Sequence, residues 1–505
     1  MGRIKVVWTG EGTYPYTTGG VSTWADILMH ELRNIDFVLI PIQMHPYVKL
    51  KFDIPPNVVD ILNVPLWGTE EPIEYVRKIE FSKIYESKIK TKTKNSIKEL
   101  KPIIVLILDH IFRKKNDFNA LGEALFQFYE YFQTYDYYET FRDEGIWKIY
   151  KEYILHHYKN ETKDIPTVFD MIEGLRYLYR FFISMLPTLP EADIYHSSAA
   201  AFCGLSCIIA KKKYGSKFLL TEHGVYIREQ YLAASRNQMP YRTKEFLMGL
   251  ITLVSKLNFH FADIVSPVCN YNARWEEKWG VDKRKIHTIY NGIDTDIFQK
   301  FNVTKDKNRP TVVMVARIDP LKDIETFIKT AKLVAEVIPN VLFKLYGPIV
   351  NEKYFQLCKD LVKELNIEEN FLFAGKTDSP QTAYNEGDVV MLTSISEAFP
   401  FVVIEAMACE KVVISSDVGG TKEVLEGFGY VVKPKDYAEF ADKVIYVLQN
   451  PDVAKNMGLD AREEILNGFT IEDMVENYGK VYKSLYNEYL EAKENEWKQV
   501  STVRI

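Results

Sequence analysis

Between Thr311 and Ser415 the chain repeats one pattern: a short run of Val, Ile, Leu and Phe, a polar loop, then apolar residues at helical spacing. Strands covered by helices on both faces read as unbroken apolar runs, so the repeat commits this region to parallel βα units. The runs are Thr311 to Ile318, Val341 to Tyr346, Asn370 to Ala374, Val389 to Thr393 and Val412 to Ser415. Between the first two, Phe327, Ala331, Val334 and Ile338 line one face of a helix over Ile324 to Ile338. The chain opens in the same way. Ile4 to Trp8 predicts a strand, Gly10 to Gly20 a turn, Val21, Trp24, Leu28 and Leu32 a helix, and Phe37 to Ile42 the next strand. The alternation resumes with Asp193 to His196, a helix through Cys203 and Ile209, and strands at Phe218 to Thr221 and Asp263 to Pro267. A length of 505 residues exceeds what a single core supports. The fold class is therefore α/β, with two Rossmann-like doubly wound domains.

The first domain is predicted over residues 1–292 and the second over 293–470, meeting near Tyr290 to Arg309. From about residue 73 to 189 the first domain carries a helical insertion, crowded with aromatics such as Phe126, Phe128, Tyr131 and Phe132 and lacking any strand pattern. Its opening part, Arg77 to Lys115, holds twelve Lys or Arg against four Asp or Glu. Two readings of that bias stand: a solvated helical face, or a positive patch toward anionic lipid or a partner. The final helix, Ile471 to Ala492, puts Met474, Tyr478, Val481, Tyr482 and Leu485 on one stripe that must cover apolar surface. Residues 471–505 are expected to complete the first domain.

A net charge of -6 offers no field to hold a polyanion, which argues against a nucleic-acid partner. Cys203, Cys207, Cys269, Cys358 and Cys409 have no metal-ligand spacing and are expected as reduced, buried thiols of a cytoplasmic protein. The opening residues run straight into a strand pattern without the apolar core of a signal peptide. No apolar run outside the strands approaches the ~20 residues of a membrane helix.

Open α/β sheets bind ligands beyond the carboxyl ends of their strands, so the loops after strands carry the argument. Glu11 to Ser22 includes Tyr16 and the pair Gly19-Gly20 at the mouth of a helix, where the backbone can approach an anion and unpaired N–H groups can meet it. A plain loop is the competing reading. Arg317 ends a strand and Lys322 follows five residues on; two convergent cations can neutralise a departing diphosphate without a metal. Glu397 closes the loop after another buried strand, Pro400 stands where a helix can begin, and Glu405 lies about a turn and a half into it. Apolar Phe399, Phe401 and Val402 intervene. That spacing lets one carboxylate bind a ribose while the other faces a sugar, and the helix start aims donors at a diphosphate. Thr221 to Glu229 again follows a strand, and its polar cluster of His223, Arg228 and Glu229 can hydrogen-bond sugar hydroxyls. On the residues alone, His223 reads equally well as a satisfied core histidine. Asp294-Thr295-Asp296 matches an Asp-x-Asp metal motif but lies at the domain junction rather than at an internal strand end, so no metal is expected.

In their order, these segments resemble the family 4 retaining glycosyltransferases of GT-B fold. Glu397 and Glu405 match the family's E-x7-E signature, Arg317 and Lys322 its R-x4-K clamp, Asn291-Gly292-Ile293-Asp294 its hinge, and Gly19-Gly20-Val21 its first-domain glycine loop. Glu11 to Tyr16, Val64 to Gly68 and Thr221 to Glu229 are similar to the PelF subgroup of Pel exopolysaccharide synthesis, which carries a helical insertion at the same place. Ala398 departs from the glycine of many wider-family members. The resemblance implies two domains facing a cleft, retention at the anomeric carbon and no cofactor. It implies a nucleotide diphosphate sugar, of the UDP type, as donor and a saccharide as acceptor, with an inner-membrane polysaccharide-synthesis partner. Under it Arg317 and Lys322 neutralise the phosphate, Glu397 orients the sugar, and His223 contributes from the first domain. Glu405 holds the ribose, and Gly19, Gly20, Phe399, Phe401 and Val402 line the donor. Arg228, Glu229 and Tyr16 serve sugar or acceptor. Other readings share these residues: glycogen-synthase-like glucan extension, sugar-nucleotide epimerisation, or a nonenzymatic subunit that binds a nucleotide sugar.

Overall fold

The computed structural model describes residues 2–502 except 70, 72–74, 77–78, 94–96, 161–164, 305 and 307. Ile73 at the predicted start of the insertion, Arg77, Lys78 and Lys94 of its basic stretch, and the terminal residues 503–505 lie outside the described residues. The chain divides into two units, one of residues 1–267, 275–287 and 478–505, the other of residues 268–274 and 288–477.

The first unit holds β1 (Ile4–Glu11), β2 (Ile35–Gln43), β3 (Val58–Ile61), β4 (Val64–Pro65), β5 (Ile194–Ser197), β6 (Lys217–Glu222) and β7 (Ile264–Pro267). They form one parallel sheet in the order β3-β2-β1-β5-β6-β7, with β4 pairing β2. Its helices are α1 (Gly20–Glu31), then α2 (Phe81–Thr93), α3 (Ile97–Ile111), α4 (Phe118–Thr134), α5 (Tyr137–Arg142), α6 (Glu144–His157) and α7 (Val168–Phe181) of the insertion, then α8 (Gly204–Tyr214), α9 (Tyr226–Arg236) and α10 (Tyr241–Phe261). Local chemistry starts the insertion helices. Asp117, Asp136 and Asp143 each accept a backbone N–H at the head of α4, α5 and α6, and Thr167 with Asp170 makes a capping box on α7. Leu100, Ile104, Phe128, Phe132 and Tyr137 pack in the same buried cluster as Val7, Val38 and Tyr195, so insertion and sheet share one core. In the basic stretch, Lys88 pairs with Glu71, Lys92 with Glu139 and Lys115 with Asp109, so these cations are compensated locally.

The second unit contains β8 (Thr311–Val315), β9 (Leu342–Tyr346), β10 (Phe371–Gly375), β11 (Val389–Leu392), β12 (Val412–Ser416) and β13 (Tyr430–Val432) in the parallel order β10-β9-β8-β11-β12-β13. Following α11 (Asn270–Lys278), whose residues are divided between the units, come α12 (Ile324–Val337), α13 (Glu352–Glu364), α14 (Pro380–Glu386), α15 (Phe401–Ala408), α16 (Thr421–Leu425), α17 (Tyr437–Gln449) and α18 (Pro451–Leu466). β8 stops at Val315, short of the predicted Ile318, because Ile318 leaves the sheet and bridges only to Ile349. The last helix, α19 (Ile471–Thr502), outruns its predicted end at Ala492. Its residues 471–477 group with the second unit and the rest with the first, where Tyr478, Tyr482 and Leu485 are fully buried.

Candidate active site

In the second sheet the winding reverses between β8 and β11, and such a switch point is where open α/β sheets bind ligands. Val312 and Val313 pair with Val389 and Val390, so the loop carrying Arg317 and Lys322 and the loop carrying Glu397 leave the sheet side by side. Backbone contacts stitch them together. The Ile395 N–H donates to the Leu321 carbonyl at 2.8 Å, and the Thr393 hydroxyl meets the carbonyls of Lys322 at 3.0 Å and Asp323 at 2.9 Å. Asp323 turns the chain in the left-handed region at φ 47°, its carboxylate held by the Thr326 hydroxyl at 2.7 Å. This brings Lys322 Nζ to 2.5 Å from Glu397 Oε1, with both side chains mostly covered. Arg317 is exposed at the end of β8. The arrangement offers one cation open to a ligand and a second held in place by a carboxylate.

Glu405 lies on α15, whose start at Pro400 has no side-chain cap, so its first N–H groups stay available to an anion. Burial pushes the Glu405 carboxyl up to about 7, against the hydrogen bond at 2.6 Å that the Tyr384 hydroxyl donates to its Oε2. Phe401 and Val402 open α15, half-buried against the core. Phe399, expected at the donor, is 6% exposed and packs against Tyr290 and Phe469. Three contributors went unread in the sequence. Thr393 and Tyr384 are two. The third is Gly419-Gly420 after β12, whose only signal is a glycine pair between strand and helix: Gly420 N–H donates to the Ala398 carbonyl at 2.7 Å, and Gly419 sits at φ 58°. A Cβ on Gly419 would lie 2.3 Å from the Glu397 carbonyl oxygen.

The Asp294 carboxylate caps a turn, accepting the N–H groups of Asp296 at 2.9 Å and Ile297 at 3.0 Å. Among the described residues no group of three or more His, Cys, Asp or Glu is placed to hold a metal ion.

The other predicted residues belong to the first unit, whose winding reverses between β1 and β5. Glu11 ends β1; burial raises its carboxyl to about 7, and it accepts the Cys203 N–H at 2.8 Å. Gly19 precedes α1 without a side-chain cap, and a Cβ there would meet nothing within 4 Å, so this loop is open to a ligand. The Tyr16 hydroxyl donates to Asn63 at 2.7 Å. His223 is half-buried on the turn after β6, its ring 4.4 Å from that of Trp24, and its buried Nε2 has no hydrogen-bond partner among the described residues. Burial lowers its pKa to about 3, so the imidazole is neutral. Arg228 and Glu229 stand in the first turn of α9, with the Glu229 carboxylate folded over Gly224. Beneath this turn Glu222 and Glu276 are buried together; burial, then their mutual repulsion, drives Glu222 well above the usual carboxylate range, and burial raises Glu276.

A family described as "Domain of unknown function (DUF3492)" matches residues 4–284, more than half of the chain. The chain belongs to that family. "Glycosyl transferases group 1" matches residues 296–464, the second sheet and its helices. N-acetyl-alpha-D-glucosaminyl L-malate synthase of Bacillus anthracis is 27% identical over 302 residues, 57% of this chain and 74% of that protein. Further curated relatives, trehalose synthases and N-acetylglucosaminyltransferases among them, are matched over 41 to 60% of their own length. The fold is similar to that of sucrose-phosphate synthase of Thermosynechococcus elongatus, at TM-score 0.59 and 18% identity over 96% of this chain and all of the other. It is also similar to Anabaena HepE in complex with UDP and glucose, at TM-score 0.57 and 12% identity over 95% of this chain and all of the other. The chain is a glycosyltransferase with the two parallel-sheet units of the GT-B fold.

Proposed function

We propose that the protein is a retaining, metal-independent glycosyltransferase that moves a sugar from a UDP-sugar to a saccharide acceptor in exopolysaccharide synthesis. The observation that carries the reading is the Lys322–Glu397 pair at the switch point of the second sheet, with Arg317 exposed on the same loop. As the sugar–phosphate bond breaks, the leaving diphosphate gains negative charge, and Arg317 and Lys322 neutralise it; cations already in position need no reorganisation when the charge appears. The uncapped start of α15 adds N–H donors, Glu405 takes the ribose hydroxyls, and Glu397 holds Lys322 while orienting the sugar. Neutral His223 acts as a hydrogen-bonding group toward the sugar or acceptor, together with Arg228, Glu229 and Tyr16. Gly19 and Gly20 let the backbone approach. The UDP complex of HepE and the alpha linkage named in the Bacillus anthracis relative support donor and retention, and the PelF-like segments support the exopolysaccharide role and a membrane-bound assembly partner.

The test is transfer from a panel of UDP-sugars, with the anomeric configuration of product read by NMR and any co-purified nucleotide identified by mass spectrometry. Lys322→Ala is expected to lose ~10²–10³ in rate with the fold intact, and activity is expected to survive EDTA. Full activity of Lys322→Ala, inverted product, or a strict need for Mn²⁺ would each overturn the corresponding part.

A further inference from the structure

The helical insertion carries recesses that none of the chemistry above uses. Two adjoining pockets of about 490 and 290 Å³ open on it, both lined by Arg113 and Gly249. Sites for small ligands occupy roughly 300 to 1,000 Å³. Phe112, Tyr231 and Tyr241 line the larger pocket with Arg113 and Lys244, and Lys256 lines the smaller. Tyr231 is 40% and Tyr241 62% exposed, the Arg242 guanidinium lying 5.2 Å from the Tyr241 ring centre. Other charges of the lining are already matched, Glu245 in the larger pocket and Lys115 in the smaller. Lys115 pairs with Asp109 at 3.3 Å, and the Glu245 carboxylate accepts from Arg242 and from the Tyr158 hydroxyl, both at 2.8 Å. Arg113, Lys244 and Lys256 have no carboxylate partner among the described residues; Arg113 donates to the Tyr231 hydroxyl at 3.3 Å and Lys244 to the Asn237 carbonyl at 3.0 Å. Arg113 holds φ 58° as the left-handed cap that ends α3, where the Lys114 N–H closes back on the Asp109 carbonyl at 2.7 Å.

Aromatic faces pack on the apolar faces of sugar rings, while guanidinium and ammonium groups without counter-charges call for an anion. Two recesses joined through one arginine, with cations spaced along them, suit a chain carrying repeated carboxylates better than a single diphosphate. Their concavity does not suit a flat bilayer surface. We propose that this groove binds an acidic saccharide of the hexuronate-oligomer type. The site lies within the first unit and does not depend on the donor assignment.

The experiment is calorimetric titration of the full chain with trigalacturonate, and in parallel with maltotriose, UDP and phosphatidylglycerol vesicles. Trigalacturonate is expected to bind, to weaken as NaCl rises, and to exceed maltotriose by about tenfold or more. Arg113→Glu is expected to lower that affinity by about tenfold or more, since it replaces a partner with a repelling charge. Tyr231→Ala should weaken it as well. Arg113 is exposed and Lys244 half-buried, and unchanged melting of Arg113→Glu and Lys244→Glu keeps the comparison clean. The proposal fails if maltotriose binds as well, if both variants bind trigalacturonate normally, if trigalacturonate shows no binding at millimolar concentration, or if only UDP or vesicles bind through Arg113.

Discussion

Gly419→Ala isolates the geometry of the Glu397 loop from the stability of the unit. Gly419 sits at φ 58°, where a Cβ would stand 2.3 Å from the Glu397 carbonyl oxygen and 2.5 Å from that of Ala398. Both neighbours are backbone, so no side chain can swing away, and the Glu397–Ala398 segment must retreat by about 1 Å to regain ordinary contact. Left-handed backbone adds roughly 1–2 kcal/mol for a residue with a Cβ. Gly427 supplies the control: it too has positive φ, at 94°, but a Cβ there meets nothing within 4 Å. Both alanine variants should therefore melt at lower temperature, while only Gly419→Ala displaces the loop that carries Glu397. A displacement of about 1 Å at a reacting centre costs ~10²-fold in rate, and that is the loss expected for Gly419→Ala in a UDP-sugar transfer assay, with Gly427→Ala near wild type. Normal kcat in Gly419→Ala, or an equal loss in both variants, would refute the reasoning.

With its carboxyl raised to about 7, Glu405 should accept ribose hydroxyls better as pH rises through neutrality; Tyr384→Phe, which removes a stabilising donor, should shift that rise in donor affinity to higher pH in equilibrium binding. His196 and His223 both stay neutral down to about 3, against 6.5 in an unfolded chain, so unfolding takes up their protons and stability falls as pH drops below 6.5. Each contributes up to ~1.4 kcal/mol per pH unit, and His196→Gln should flatten the denaturant midpoint between pH 6 and 4. Buried Glu276 works with the opposite sign: protonated in the fold beyond its unfolded value of 4.5, it loses stability for the fold as pH rises. Glu276→Gln should melt higher than wild type at pH 8 and equally at pH 4.

The parts of the candidate site proposed from the sequence are those set by one chain segment: Arg317 and Lys322 on one loop, Glu397 and Glu405 around one helix start. Continuous apolar strands such as Val389–Leu392 and Val412–Ser416 announced themselves because helices cover both sheet faces. The two-residue β4 and three-residue β13 are too short to show any period. Partners drawn from different segments were equally silent. Tyr384 reaches Glu405 from another helix, Thr393 ties two loops through its hydroxyl, and the role of Gly419 exists only because the Glu397 backbone passes within contact. Phe399 is expected at the donor from its place between Glu397 and Glu405, while the packing of its ring is set by Tyr290 and Phe469, each more than sixty residues distant in sequence.

The last helix gives the chain an unusual order of assembly. Trp24, His196 and Thr221 leave the ribosome well before their partners: Tyr482 follows His196 by 286 residues and Tyr478 follows Thr221 by 257. At roughly 5 to 20 residues per second, Trp24 waits on the order of 20 to 90 s for them. Until then a buried imidazole and hydroxyl lack their mates, so nascent chains stalled in the second half carry an unfinished amino-terminal core. Completion of that core reports that translation has passed Tyr482, so products truncated before it are natural targets for chaperones and proteases.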